Sequence, residues 1–398
     1  MIYLDNAATS FPKPPLMLEA MRDFTERVGA NPGRSGHRLS IEAGRVLLDA
    51  REQIAGLIGA SDPFDVVLTK NATEALNTAI LGLAEHGDHF VTTSMEHNSV
   101  SRPLRYLQDR GAETTIVQAD PLTGRVEAED VVAAIRANTK AVIMTHASNV
   151  TGTIMPVADV GEACEERKVV FVVDAAQTAG AVPVDVVSMH AGLVAMTGHK
   201  SLLGPQGTGA LYVRPGIELR PLCFGGTGSS SESDVQPEVM PDKLESGTAN
   251  TIGAAGLAAA VRFVRSVGVE EIREKEIELA GRLLEGLSRI AGVRVWGPPT
   301  AAERTPIVAF TLEGVASDEV AFILDRRYGV LVRVGLQCSP WAHRTLGTLP
   351  EGTVRASCGY FTTAEEIDRT VGAVAEIARG RGRAGQPAAK GAAGEDYR

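Results

Sequence analysis

In residues 194–209, VAMTGHKSLLGPQGTG, an apolar run ends at Thr197 and passes directly into Gly198, His199 and Lys200. A lysine there has two readings. Its stem can snorkel to water, or it is a desolvated amine whose lowered pKa suits Schiff-base chemistry. The spacing G-x-x-x-x-G-K-[ST] is absent, so a nucleotide phosphate loop is rejected. In VVFVVDAAQ (169–177), Asp174 follows a wholly apolar run. A carboxylate at the end of a buried strand needs a partner or it protonates. It is either a helix N-cap or an acid facing the cleft at the strand ends, where open α/β sheets bind ligands. In DVVLTKNATEALN (65–77), a strand turns into a helix at Asn71, Ala72 and Thr73. That is ordinary capping, or an anion cup of free N–H groups at the positive helix end. No GxGxxG stands here, which argues against a dinucleotide.

An anion cup, an acid and an amine, in that chain order, match the needs of pyridoxal 5′-phosphate. Its phosphate takes the helix N-terminus, its pyridinium nitrogen the acid and its aldehyde the lysine.

A fourth candidate lies in RVGLQCSPWAH (333–343). Free cysteines are usually small buried hydrophobes, and Cys164, Cys223 and Cys358 are expected to be so. Cys338 differs, because Pro340 disfavours regular structure and loops approach ligands. Arg333 and His343 are near enough in sequence to lower its pKa. The expectation is a nucleophile.

The elements that must hold these residues follow an alternating pattern. Residues 1–40 read as an irregular arm and 41–59 as a helix. Apolar runs at 65–69, 89–93, 114–118, 140–145, 169–173, 193–197 and 209–213 alternate with helical stretches such as 73–85 and 127–137. Near-continuous apolar strands between helices predict an α/β fold, a mostly parallel sheet covered on both faces. Residues 253–290 read as one or two long helices leading into a smaller α+β domain. Its strands are expected near 292–296, 305–312 and 353–357, and its final helix at 363–379. The expected organisation is an N-terminal arm (1–20), a large domain (21–252), a small C-terminal domain (253–380) and a tail (381–398). The tail's Gly/Ala/Pro-rich composition predicts disorder.

Composition narrows the partners. The chain has 398 residues, 44% hydrophobic and 22% charged, with net charge −10. No basic run offers a face for nucleic acid. Neither an apolar secretory segment nor a run of roughly 18–20 apolar residues appears, so no membrane association is expected. The 4 cysteines are widely spaced without C-x-x-C, so neither a disulfide framework nor a metal site is expected. A reducing, cytoplasmic setting is the expectation.

Several stretches together carry a resemblance: YLDNAAT (3–9), TKNATEALN (69–77), MEHNSV (95–100), SNVTGTIMPV (148–157), VVDAAQTAG (172–180), TGHKSLLGPQGTGALY (197–212), LESGTANTIG (244–253), RVGLQCSPWAH (333–343) and VRASCGYFTTAEEID (354–368). They span nearly the whole chain. It resembles the class V aminotransferase family of fold type I pyridoxal-phosphate enzymes, and within it the cysteine desulfurases.

The resemblance implies roles. Lys200 would carry the cofactor and later move protons, and Asp174 would keep the ring nitrogen protonated. Gln177 would hydrogen-bond the phenolic oxygen. His97 would stack on the ring and act as an acid or base. Ala72, Thr73, Thr197 and His199 would bind the phosphate, and Thr248 would reach the phosphate in a neighbouring subunit, which implies a homodimer. Asn149 and Arg355, with Arg333 near, would hold the substrate carboxylate; an Arg fork fits that group bidentately. Cys338 would take sulfur from L-cysteine as a persulfide, leave L-alanine, and pass the sulfur to an acceptor, with iron–sulfur cluster or cofactor assembly as its destination. The short interval from Cys338 to Arg355 resembles the SUF-type branch. That branch more often has His before the cysteine, where this chain has Gln337; Asn98 likewise stands where His or Pro is common. The alternatives are a selenocysteine lyase or another class V transaminase, epimerase or lyase. A transaminase or epimerase has no need of a loop thiol.

Overall fold

The structure is a computed structural model that describes residues 1–33, 36–229 and 232–384. Strand β1 (Ile2–Tyr3) opens the chain. Seven strands then build one sheet: β2 (Val66–Thr69), β3 (His89–Thr93), β4 (Glu113–Val117), β5 (Thr139–Thr145), β6 (Val170–Asp174), β7 (Leu193–Thr197) and β8 (Gly209–Val213). Their order across the sheet is β2-β8-β7-β6-β5-β3-β4. The pairs β7–β6, β6–β5, β5–β3 and β3–β4 are parallel, while β8 runs antiparallel to both its neighbours. This is the expected mostly parallel α/β sheet.

The central strands show why the sheet is covered on both faces. Val142, Met144, Phe171, Val173, Val194 and Met196 enter one core cluster. Their alternating neighbours Ala141, Ile143, Val172, Leu193 and Ala195 enter another. Side chains alternate along a strand, so an unbroken apolar run has two dry faces to fill.

The main sheet of the smaller unit is antiparallel. Its strands are β9 (Val293–Trp296), β10 (Ile307–Leu312), β11 (Val330–Leu331), β12 (Arg333–Gly335) and β13 (Thr353–Ser357). Four of them form a sheet in the order β12-β13-β10-β9, and β11 pairs with β1. Helices Val269–Ser288 and Ala364–Ala384 supply much of the shared core, where Leu283, Leu287, Val374 and Ile367 meet Phe310 and Val354. Ile2 and Leu4 join the same core.

The N-terminal residues are more ordered than an irregular arm. Pro15–Asp23 is helical, opened by a proline in its first turn, and Met17 packs with Ala260 and Val264. The long helical run breaks at Gly268, whose φ of 97° suits glycine. The two helices, Thr251–Val267 and Val269–Ser288, meet at 78°. Leu257 and Val261 of the first belong to the core of the large sheet, so the passage between the units falls at the bend. Among the described residues no single helix is long and apolar enough to cross a membrane. The final helix continues to Ala384, past the expected start of the tail at 381; residues 385–398 of that tail lie outside the described residues.

Candidate active site

Most of the candidate residues gather at the carboxyl ends of the parallel strands, where open sheets place their ligand crevice. Asp174 ends β6, and Thr197 ends β7 and leads to His199 and Lys200. His97 follows β3, and Asn149 follows β5. Register places Thr145 beside Asp174.

Lys200 does not snorkel away. Its ammonium is enclosed, and burial lowers its pKa to about 8; Asp174 opposes the fall and Arg355 adds to it, with Cys338 also within electrostatic reach. Amine, acid, guanidinium and thiol therefore share one cleft. The carbonyls flanking the lysine are fixed from the N-terminal segment. Ser10 Oγ donates to the Lys200 oxygen at 2.8 Å. Lys13 Nζ donates to the His199 oxygen at 2.8 Å and to Ser10 Oγ at 2.7 Å. Burial brings Lys13 itself down to about 8.

Asp174 is not a helix N-cap. Its Oδ1 accepts from Ala176 N–H at 2.9 Å in a turn. Burial raises its pKa, against the pull of Ala176 and Lys200. Gln177 is buried three residues further on, its Nε2 donating to the Ala7 oxygen at 3.1 Å.

His97 caps a helix and faces the cleft as well. It is the N-cap of Asn98–Gln108, with Nδ1 accepting from Ser99 N–H at 3.1 Å. An accepting Nδ1 places the ring proton on Nε2. Ser99 Oγ lies 2.8 Å from the same Nδ1 and 2.7 Å from Thr73 Oγ1, which links the ring to the first turn of helix Ala72–Leu83. Burial, reinforced by Lys200, Arg102 and Arg355, lowers the His97 pKa to about 4. The ring is neutral through the physiological range.

Two buried polar atoms near Lys200 have no partner among the described residues: Thr197 Oγ1 and His199 Nδ1. An unpaired buried polar group is costly, so these atoms await an acceptor or donor from a ligand. Glycines let the segments around these atoms pack closely on one another. A Cβ on Gly209 would sit 2.7 Å from the Asn71 Cα, and one on Gly198 2.0 Å from Thr208 Oγ1. Hydroxyls, an imidazole and a helix N-terminus on one side, an acid and an amine on the other, fit a phosphorylated pyridine aldehyde.

Arg355 is not a surface ion pair. It is 3% exposed. Its Nη1 donates to the Asn149 oxygen at 2.8 Å, and its Nη2 to Asp5 Oδ1 at 3.1 Å. Its Nε has no partner among the described residues. Arg333, opposite it in the β12–β13 register, is half exposed and reaches Asp5 Oδ2 only at 3.8 Å. Arg333 therefore sits at the rim, and Arg355 in the floor.

Cys338 is exposed, and so is Cys223, contrary to expectation; Cys164 and Cys358 are buried. Cys223 lies in an irregular stretch after β8 that offers no core to enter. At the Cys338 loop, Gln337 and Cys338 are consecutive non-glycine residues with positive φ, 42° and 59°. Left-handed backbone costs about 1–2 kcal/mol per non-glycine residue, so neighbouring side chains must hold the turn. Asn149 does so from both flanks: Nδ2 donates to the Gln337 oxygen at 2.7 Å, and Oδ1 accepts from Ser339 Oγ at 2.7 Å. Asn98 N–H donates to the Cys338 oxygen at 2.8 Å. The amide of Asn149 is thus spent on the loop.

His343 does not act on the thiol. It is fully buried, with Nε2 on Gln337 Oε1 at 2.8 Å and Nδ1 on Thr348 Oγ1 at 2.7 Å. Burial lowers its pKa to about 4, so it brings no charge to Cys338.

Thr248 stands apart. It is exposed in an open groove shared with Thr69, Lys70 and Asn250. Its loop is anchored through Glu245, which takes both Arg51 Nη1 and Nη2 at 2.7 Å and Leu68 N–H at 2.6 Å.

Sequence reasoning missed Ser10, Lys13, Glu96 and the pairing role of Asp5. Ser10 and Lys13 lay in a stretch without periodicity. Glu96 is wholly buried beneath the site, its Oε1 accepting from Thr93 Oγ1 at 2.7 Å and Thr145 N–H at 3.0 Å. A glutamate three residues after a buried strand was its only signal.

This geometry belongs to a fold type I enzyme, and comparison with known proteins agrees. The family Aminotransferase class-V matches residues 2–370, and the chain belongs to it. A probable cysteine desulfurase of Methanothermobacter thermautotrophicus is 36% identical over 383 residues, covering 95% of this chain and 94% of that one. A cysteine desulfurase of Haloferax volcanii is 35% identical over 384 residues, covering 94% and 88%. Among solved structures, the apo cysteine desulfurase of Thermococcus onnurineus superposes with a TM-score of 0.89 at 34% identity, covering 95% of each chain.

Proposed function

We propose that the protein is a pyridoxal-phosphate-dependent cysteine desulfurase that converts L-cysteine to L-alanine and holds the sulfur as a persulfide on Cys338. The observation that carries this reading is the cleft itself, where Asn149 ties the loop of an exposed thiol to the buried guanidinium of Arg355, within electrostatic reach of the enclosed amine of Lys200. The many desulfurases among the relatives support it.

Pyridoxal phosphate supplies an electron sink for the pair left when an amino acid loses its α-proton. Thr197, His199, Thr73 and the first turn at Ala72 are the groups to hold its phosphate. Lys200 would hold its aldehyde, Asp174 would meet its ring nitrogen, and Gln177 would serve its phenolic oxygen. His97, neutral with its proton on Nε2, would stack on the ring.

The residues then divide the work. Arg355 takes the substrate carboxylate on its free Nε edge. Lys200, a weak enough base to be partly neutral near pH 8, accepts the α-proton and returns protons later. The Cys338 thiolate attacks the substrate sulfur. A sulfur–sulfur bond forms, the carbon–sulfur bond breaks, and its electron pair stays with the carbon fragment that is protonated to alanine. The balance is one cysteine plus one thiol to one alanine plus one persulfide. A second thiol, on an acceptor protein or a small reductant, removes the sulfur from its exposed position.

The protein acts as a homodimer in this reading, with Thr248 serving the phosphate of the partner's site. Exposed Phe224, Val235 and Val239, in the segment before that loop, supply an apolar surface for it. A reducing cytoplasmic setting suits a nucleophile that must stay a free thiol. Iron–sulfur cluster assembly is the destination proposed for the sulfur.

The test is a paired assay of purified holoenzyme with L-cysteine and a reductant. Equal alanine and sulfide, both lost in Cys338→Ser while the cofactor remains bound, supports the reading. Pyruvate or a keto acid, made equally well by Cys338→Ser, overturns it.

A further inference from the structure

Desulfuration, as proposed above, needs the nucleophilic sulfur at a fixed distance from the group that holds the substrate. In a cysteine molecule the carboxylate and the sulfur are separated by only two carbons. Arg355 and Cys338 must therefore be held in one frame. The large sheet contributes only part of it: Asn149 and Asn98 brace the main chain of the loop. The remainder comes from the smaller unit, through side chains that the reaction scheme does not use.

Gln337 points away from the cleft and is buried. Its Nε2 donates to the Thr353 oxygen at 3.0 Å. Thr353 begins β13, the strand that carries Arg355 two residues further on. With the amide nitrogen committed there, Oε1 is the acceptor for His343 Nε2–H at 2.8 Å. His343 Nδ1 must then accept from Thr348 Oγ1 at 2.7 Å. The chain Thr348–His343–Gln337–Thr353 is unbroken, and every side-chain polar atom of Gln337 and His343 has a partner in it. It also pairs by register, since Gly335 of β12 lies opposite Thr353.

We propose that Gln337 and His343 are positioning residues that lock the left-handed Gln337–Cys338 turn to the Arg355 strand, so that the thiol stands at a set place over the bound substrate. This rests on the desulfurase reading. A small misplacement of reacting atoms costs far more in rate than in binding, and that split separates a positioning role from a structural one.

The experiment uses holoenzyme and L-cysteine. Persulfide formation on Cys338 is followed in a single turnover by mass spectrometry, per mole of bound cofactor. Binding of L-cysteine is read from the change in the cofactor's absorbance, and thiol access from alkylation by iodoacetamide. In Gln337→Met and His343→Ala, persulfide formation falls about tenfold or more at saturating L-cysteine. Binding and alkylation stay within about threefold. His343→Gln, which keeps a donor toward Gln337, recovers part of the rate. If His343→Ala does not fold, Gln337→Met and Thr348→Val decide the question. Folded variants that form persulfide at the wild-type rate overturn the lock alone. A wild type that forms none on Cys338 overturns the desulfurase reading, and the lock with it.

Discussion

Arg355 Nη1 donates to the main-chain oxygen of Asn149 at 2.8 Å, and this bond joins the floor of the small unit to the loop after β5. With Nη2 on Asp5, Nε is the guanidinium nitrogen left without a partner among the described residues. A guanidinium held at two corners presents its third side in one orientation. Asp5→Asn removes the charge that fixes one corner while keeping the shape. A hydrogen bond to a charged group contributes about 1.5–3 kcal/mol. The expected outcome is a KM for L-cysteine raised about tenfold with kcat changed less than about twofold. Steady-state kinetics checks it.

Thr197 Oγ1 has no partner among the described residues. Thr197→Val should therefore leave the cofactor-free protein at least as stable, because it removes a buried unpaired hydroxyl. Cofactor affinity should fall about tenfold, the loss of one hydrogen bond to a charged group. Melting of the cofactor-free form and equilibrium dialysis against the cofactor measure the two effects separately. A drop in both would make Thr197 a structural residue only.

Glu96 gives a pH dependence with a definite sign. Burial lifts its carboxyl from 4.5 to about 8, although Thr93 and Thr145 donate to it, and nearby Asp174 adds to the rise. Between these values the unfolded chain gives up this proton and the folded chain keeps it. Its contribution is fully present below about 4.5 and is lost as pH rises toward about 8. Glu96→Gln, which keeps an acceptor for both donors, should flatten the decline in melting temperature between pH 6 and pH 8. Calorimetry across that range on wild type and variant checks it. Parallel curves would contradict it.

The Arg51–Glu245 pair anchors the loop of Thr248, with Arg51 only 5% exposed. Removing one partner of a buried pair leaves the other charge uncompensated and typically costs about 3–5 kcal/mol. Arg51→Met should destabilise the fold by that order, and the double variant Arg51→Met with Glu245→Gln should recover part of it. Denaturant unfolding of the three proteins measures this.

How far these relationships were legible in the sequence depended on whether the signal was local. Strands such as Leu193–Thr197 and Gly209–Val213 fell where their apolar runs stood, because burial on both faces writes an unbroken pattern. Asp174 and Lys200 were legible because a charge after such a run is anomalous. The short elements were not. Arg333–Gly335 and Ile2–Tyr3 exist because of partners far along the chain, and Pro340–Leu346 was hidden by a proline that begins a helix as readily as it prevents one. His343 was misjudged for the same reason: closeness to Cys338 in sequence said nothing of which way the ring turns. Asn149, expected on the substrate, spends its amide on the loop, a contact that only tertiary structure creates.

The central claim is that sulfur leaves L-cysteine onto Cys338. The most direct measurement is the intact mass of holoenzyme after one equivalent of L-cysteine without reductant, with peptide mapping of the modified site and alanine counted in the same sample. The account predicts one added sulfur atom on Cys338 for each alanine formed, and neither in Cys338→Ser. Alanine or another product released without sulfur on Cys338, and unchanged in Cys338→Ser, would contradict it.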